Sequence, residues 1–462
     1  MNLFRKKDIA LYKKEAATSR LKRALGALDV TLLGVGVIVG TGIFVLTGVA
    51  AAEYAGPALM LSFLIASITC AFVSLAYSEL ASMIHVSGAS YAYAYASVGE
   101  FPAWLVGWNL ILEYTVGASA VAGGWSAYVT GLFQSAGIAI PIAFTKVPAE
   151  GGLLNLPAIL ITLFLTFLLM RGVHESVTVN KALVGVKLLA IFVFLFLAGP
   201  SVEVTNWQPF MPFGFAGVSA GAAVIFFAYL GCDSIATAAE ETKNPRRDMP
   251  IGIMASLLIC TVLYIAVSGV MTGNVPYTEL NTAEPVAFVL RRLGYQFGSA
   301  LVGTGAVAGL TTVLLVMMYA QTRAFYSMAR DGLIPPAICK VHPKYRTPWR
   351  VTILVGLVVA LVSGFTPIHI VAEMCSIGTL FAFLVSSFGV MAMRKRRPDL
   401  PRPFRCPAVY IIGTLAILSC GYIMANLSSM TWVRFLIWSA VGILIYFLYG
   451  IHHSIERTHE HT

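Results

Sequence analysis

Along the chain, apolar stretches of roughly 20 residues, long enough to cross a bilayer as a helix, alternate with short polar connections. Twelve such runs can be read, at about 28–53, 57–82, 102–131, 155–171, 178–199, 215–240, 250–273, 299–329, 350–365, 373–393, 408–425 and 430–450. The pattern predicts an all-α integral membrane protein with twelve transmembrane helices. Between the second and third runs, Val86–Glu100 holds no lysine or arginine and is rich in small and aromatic residues, which predicts a short helix folded against the bundle. Ser19–Asp29 mixes Leu21, Leu25 and Leu28 with Arg20, Lys22 and Arg23 and predicts a segment lying along the membrane surface.

Composition strengthens this picture. Charged residues make up 11% and apolar ones 58%, whereas a soluble chain carries about 25% charged residues. A soluble fold of this size could not cover its surface. The net charge of +10 collects in loops rather than on a nucleic-acid-binding face, and no nucleic-acid partner is expected. Lys243, Arg246, Arg247, Arg330, Lys340, Lys344, Arg346, Arg350, Arg394–Arg397, Arg402 and Arg405 fall in alternate loops, while the opposite loops hold only Lys146, Arg291, Arg292 and Arg434. Positive charge resists translocation, so this distribution puts both termini of a multi-pass protein in the cytoplasm, and the plasma (inner) membrane is the expected location. No cleavage site follows the basic N-terminus, and no signal peptide is expected. The seven cysteines are scattered, with no CxxC pair and no Cys/His spacing for zinc. Metal, cofactor and disulfide framework are all expected to be absent.

Two runs should not be regular helices. The first contains Gly34, Gly36, Gly40 and Gly42 within nine residues, and each glycine disfavours helix by about 1 kcal/mol relative to alanine. The sixth has Phe227-Ala228-Tyr229-Leu230-Gly231-Cys232-Asp233. Small residues in membranes usually serve close helix packing, but position favours breaks. The first ten runs divide into two sets of five with opposite orientation, and glycine-interrupted segments at matching places mark an inverted-repeat transporter with its site at the bilayer midplane. Unwound backbone at that depth must line a cavity or be buried in protein. The outer part of the first run would begin near Gly42 with free N–H groups and a positive dipole end, aided by the Thr41 hydroxyl, and so suit a carboxylate. Free carbonyls near Phe227–Leu230 would suit an ammonium group. Donors facing acceptors describe a receptor for an α-amino acid.

Charges within the runs are costly, by at least ~2.5–3.5 kcal/mol each, and are functional candidates. Glu113 is about 15 Å into the third run, Asp233 follows the second break, and Lys187 is mid-way along the fifth. Lys187 either pairs with a carboxylate to hold the bundle together or stands where a coupling cation would bind, its own protonation replacing the ion, since burial disfavours a charged amine. Glu113 and Asp233 either cap broken helix ends or attract a cationic substrate side chain. Met317, Met318, Phe227 and Tyr229 are candidates for pocket or core. His452, His453, His459 and His461 read as a frayed polar tail.

Four motifs together resemble the amino acid–polyamine–organocation superfamily: Gly40-Thr41-Gly42-Ile43-Phe44, Phe226–Asp233, Glu240–Pro250, and Ala329-Arg330-Asp331-Gly332-Leu333-Ile334-Pro335. Within it the chain is most similar to bacterial members of the cationic amino acid transporter family, over residues 20 to 450. The resemblance implies a LeuT-like five-plus-five inverted repeat with broken helices one and six plus two peripheral helices. Its parts would be a cytoplasmic segment 1–27, repeats 28–199 and 215–393, added helices 408–450 and a tail 451–462. It implies proton-driven amino acid uptake by alternating access, with amino acid, proton and lipid bilayer as partners and a small membrane protein or sterol-like lipid left open as another. By the same resemblance Thr41 and Gly42 hold the substrate carboxylate and backbone around Ile38, Phe227 and Leu230 holds the amino group, with Gly40 and Ala228 also in the substrate-binding set. Lys187 matches the lysine of the fifth run linked to proton coupling. Glu113 and Asp233 stand near the pocket, and Met317 limits side-chain size. A methionine at 317 fills room that arginine would need, so neutral substrates such as alanine stand beside cationic ones. An exchanger using the same site is the nearest rival. A channel would need a ring of polar groups, and an enzyme would need a paired constellation within the runs; neither pattern is present, and no enzymatic activity is expected.

Overall fold

The computed structural model describes residues 3–7, 25–84, 89–172, 177–231, 235, 242–345 and 347–455. Cys232, Asp233, His459 and His461, and most of the predicted surface segment Ser19–Asp29, lie outside them. Among the described residues the fold is all helical, with no strand and one isolated bridge between Leu25 and Thr242. In chain order the helices are α1 (Ala27–Ile38), α2 (42–55), α3 (Leu59–Met83), α4 (Ala89–Ser97), α5 (Glu100–Ser135), α6 (Leu156–Met170), α7 (Val177–Ala198) and α8 (Gly214–Ile225). They continue with α9 (Pro245–Asn274), α10 (Pro285–Arg292), α11 (Gln296–Arg330), α12 (Trp349–Phe365), α13 (Ile368–Arg396), α14 (Val409–Ala425) and α15 (Ser429–Ile445). α1 and α2 share the first apolar run. α4 is the short helix anticipated between the second and third, with Tyr91, Tyr93 and Tyr95 fully buried.

Among the described residues seven stretches are long and apolar enough to cross a membrane, and α1, α6, α8, α12 and α14 are apolar but shorter. One of the seven, Gly42–Met83, has 42 residues, about 63 Å as a helix and twice the ~30 Å of hydrocarbon. It divides because the chain turns at Gly56, whose φ of 60° is closed to most side chains, beside Pro57. The apolar surface points outward, as lipid requires: Leu189, Phe192 and Phe196 of α7 are exposed while Lys187 on the same helix is buried. The chain is an integral membrane protein.

Burial grades from centre to edge. The most apolar stretch of α5 is 89% buried, against 33% in the stretch holding α7 and 28% in that holding α15. α5 is the central pillar, with α11 and α13 packed along it. Small residues on α5 let its neighbours approach: a methyl added at Gly107 would fall 2.7 Å from the Met328 sulfur of α11.

Polar clusters fasten the helix ends. Glu79 of α3, 2% exposed, accepts hydrogen bonds from the Arg394 guanidinium, from Arg402 Nε (3.0 Å) and from the Cys406 amide (2.8 Å). Glu100, at the start of α5, accepts from Tyr95 (3.0 Å), Tyr446 (2.9 Å) and Ser454 (2.7 Å). Asp331, just after α11, accepts from Lys7 and Tyr91, each at 2.8 Å. The N-terminal residues 3–7 run beside this junction, where the Glu100 and Phe101 amides donate to the Arg5 and Leu3 carbonyls.

Candidate functional site

The first break is where the glycines predicted it, shifted by one residue. α1 ends with the Val39 amide donating to Val35 (2.9 Å), and Val39 itself is extended, with ψ 101°. Helical geometry resumes at Thr41, and the Phe44 amide donates to Gly40 (3.2 Å). The unwound part is therefore Val39–Gly40 rather than Gly40–Gly42. Gly42 serves close approach instead, since a methyl there would fall 2.2 Å from the Ala228 Cα, and the two interrupted segments touch backbone to backbone. Gly34 likewise sits inside regular helix, where a methyl would meet the Ser256 hydroxyl at 2.5 Å.

The second break begins as α8 tightens into a 3-10 turn at Phe226–Tyr229. The Leu230 amide donates to Phe227 (3.1 Å), Leu230 turns extended at ψ 139°, and Gly231 has φ 93°. A side chain at Gly231 would be strained by that φ and would meet the Val37 Cγ1 at 2.2 Å. Each break is thus closed by the other chain segment.

Sequence reasoning missed the residue that joins them. Tyr264 of α9 is fully buried, and its hydroxyl lies 2.7 Å from the Ile38 carbonyl and 3.0 Å from the Ala228 carbonyl, acceptors just before each break. Its ring packs on Phe63 and Tyr229, at centroid distances of 5.1 and 5.5 Å. The signal was a lone tyrosine in an apolar run, whose hydroxyl must find a partner at membrane depth.

The candidate residues fall into two groups around this junction. Ile38, Gly40, Thr41, Gly42, Phe227, Ala228 and Leu230 come together at the breaks, all buried. The Thr41 hydroxyl is buried with no hydrogen-bond partner among the described residues. A helix-start hydroxyl beside amides that have no intrahelical acceptor fits an added carboxylate. Lys187 reaches the break from α7: its ammonium donates to the Gly36 carbonyl at 2.8 Å, and it is 2% exposed. Gly309 of α11 leaves room for it, since a methyl there would fall 2.7 Å from the Lys187 Cγ.

Met317 and Glu113 form the second group. Val313 of α11 covers Gly40, its Cγ2 3.3 Å from a methyl placed there, and Met317 follows one turn along the same face. Glu113 of α5, 1% exposed, faces α13, where a methyl at Gly378 would be 3.5 Å from the Glu113 Cβ. Asp233 is outside the described residues. Met318 is fully buried. Among the described residues no group of three His, Cys, Asp or Glu is arranged to hold a metal ion.

Two interrupted segments crossing inside an apolar bundle, with the Thr41 hydroxyl unpartnered among the described residues at one and carbonyls at the other, are the architecture of a membrane carrier for small polar solutes. The pattern shared by the amino acid permease family matches residues 25–449, and the chain belongs to that family, within the amino acid–polyamine–organocation superfamily. Its members are transporters, not enzymes. The chain is 47% identical to the branched-chain amino acid permease BcaP of Bacillus subtilis, over 98% of each chain. It is 44% identical to the methylthioribose transporter of the same organism, over 98% of this chain and 99% of the relative. With the vacuolar cationic amino acid transporter 4 of Arabidopsis thaliana it shares 37% identity, over 84% of this chain and 66% of the relative.

Proposed function

We propose that the chain is a proton-coupled importer of neutral amino acids with apolar side chains, working by alternating access across the plasma membrane with both termini cytoplasmic. The twelve apolar helices cross the membrane as a five-plus-five inverted repeat, and α14 and α15 lie outside it. The substrate carboxylate lies on the Thr41 hydroxyl and the Thr41–Gly42 amides, and its ammonium group on carbonyls around Ile38, Phe227 and Leu230. The side chain extends toward Met317. The names of the 47% and 37% identical relatives point one toward branched-chain and one toward cationic substrates. The Met317 thioether, one turn beyond the Val313 side chain that covers Gly40, supports the neutral choice.

Lys187 is the coupling group. Its ammonium occupies the space beneath the first break and holds the Gly36 carbonyl, and on losing its proton it keeps a weaker hold. That bond carries the proposal, because it lets one protonation event reach the segment that binds the carboxylate.

Two variants in proteoliposomes test it. Thr41→Val keeps the shape and removes the hydroxyl, and is expected to weaken alanine and leucine binding in a thermal-shift titration. Lys187→Ala is expected to bind substrate yet fail to concentrate it under an inward proton gradient. Full gradient-driven uptake by Lys187→Ala eliminates the coupling role, and uptake that requires amino acid on the far side identifies an exchanger. Methylthioribose, which has neither carboxylate nor amine, belongs in the same titration because of the 44% relative. Binding of methylthioribose alone would overturn the amino acid assignment.

A further inference from the structure

We propose that Gly117 and Cys375 are positioning residues that set substrate selectivity by fixing the Met317 thioether. The inference rests on the reading of Met317 as the wall of the side-chain pocket.

Gly117 lies in the middle of the 36-residue α5, where glycine disfavours helix relative to alanine. What it offers instead is space. A methyl at Gly117 would lie 3.1 Å from the Cys375 sulfur of α13, 3.4 Å from the Met317 methyl and 3.5 Å from the Met317 sulfur. Two sulfur side chains from two helices therefore share the groove left by one missing methyl. Cys375 is fixed in it, since its thiol donates to the Glu113 carbonyl at 3.2 Å and it is fully buried. Met317 is less constrained, at 9% exposure, and its unbranched chain has three rotatable bonds and takes the shape its neighbours allow.

Opposite changes behind it should therefore move the thioether in opposite directions. Cys375→Ala removes the sulfur and lets Met317 settle toward α13, deepening the pocket. Gly117→Ala adds a methyl at distances tighter than ordinary van der Waals contact to Cys375, and pushes Met317 toward Gly40. Selectivity between side chains differing by a few methyl groups responds to such changes on the order of tenfold.

The test is the ratio of initial uptake rates (kcat/KM) for leucine and alanine in proteoliposomes. Wild type, Cys375→Ala, Gly117→Ala and Cys375→Ser are compared, each also combined with Met317→Ala. Cys375→Ala is expected to raise the leucine-to-alanine ratio, Gly117→Ala to lower it, and the near-isosteric Cys375→Ser to leave it unchanged. Both shifts should vanish once Met317 is alanine. Equal losses for both substrates, or shifts that persist without Met317, overturn the inference. If Met317→Ala alone leaves the ratio unchanged, the reading of Met317 fails, and the inference with it. If Met317→Ala moves the ratio and the two neighbours do not, only the positioning role fails. Should Gly117→Ala not fold, the contrast of Cys375→Ala with Cys375→Ser decides.

Discussion

Replacing Tyr264 by phenylalanine removes one oxygen from the centre of the bundle and leaves almost everything else in place. The ring contacts with Phe63 and Tyr229 survive. What disappears is the only proton of the hydroxyl that lies 2.7 Å from Ile38 and 3.0 Å from Ala228. Both carbonyls are in the last turn of a helical segment, where carbonyls lack intrahelical donors. A buried acceptor left without a donor costs about 1–3 kcal/mol, and because one hydroxyl serves both, the expected loss stays within that range. One to two kcal/mol already changes the folded-to-unfolded ratio by a factor of about 5–30. Denaturant-dependent unfolding in detergent, followed by tryptophan fluorescence, would read it. Tyr229→Phe is the comparison, since its hydroxyl reaches the Phe63 carbonyl, inside α3 where the helix ladder also serves it, and the Thr261 hydroxyl. Tyr264→Phe should be the less stable of the two and should lose more alanine uptake. Wild-type stability with wild-type uptake in Tyr264→Phe would refute the claim that this hydroxyl holds the two breaks together.

Other outcomes follow from single contacts. Gly42→Ala puts a methyl 2.2 Å from the Ala228 backbone and should cost at least the ~1–3 kcal/mol of overpacking, whereas Gly185→Ala on the exposed side of α7, with nothing within 4 Å, should be at least as stable as wild type, by up to about 1 kcal/mol; equal midpoints for the two would contradict the close approach. Glu79→Gln leaves Arg402, whose side chain is 1% exposed, without its counter-charge, and about 3–5 kcal/mol of destabilisation is expected, visible as lost folded yield in size-exclusion chromatography. Burial raises the Glu284 carboxyl above its ordinary value against the pull of Arg291. A raised carboxyl holds its proton more tightly folded than unfolded, so its stabilising contribution is present below the usual glutamate range, about pH 4, and is lost as pH rises through the raised value. The stability of wild type relative to Glu284→Gln should therefore fall over that interval in a pH series of thermal unfolding; a flat or rising difference would contradict it.

The features legible in the sequence were those that violate the rules of a lipid-facing helix. Lys187 and Glu113 are charges inside apolar runs, and Gly40 and Gly231 lie at real interruptions. Glycine alone does not separate a break from a close contact. Gly34 and Gly36 look the same on paper as Gly40, yet α1 runs through both because Gly34 serves packing against Ser256. The placement of Gly42 against Ala228 depends on a segment 186 positions away along the chain, which no local pattern encodes. Tyr264 was hidden for the opposite reason: an aromatic residue in an apolar run is ordinary, and only its two acceptors make it special. Met317 could be singled out through resemblance, but the groove at Gly117 that fixes it required three helices to be seen together.

Glu100 has a consequence for how the molecule is made. Its carboxylate is satisfied by Tyr95 nearby, but also by Tyr446 and Ser454, 346 and 354 positions later. During synthesis that acid must wait while the helices between it and Tyr446 are made. A segment made late is then what finishes a junction begun early.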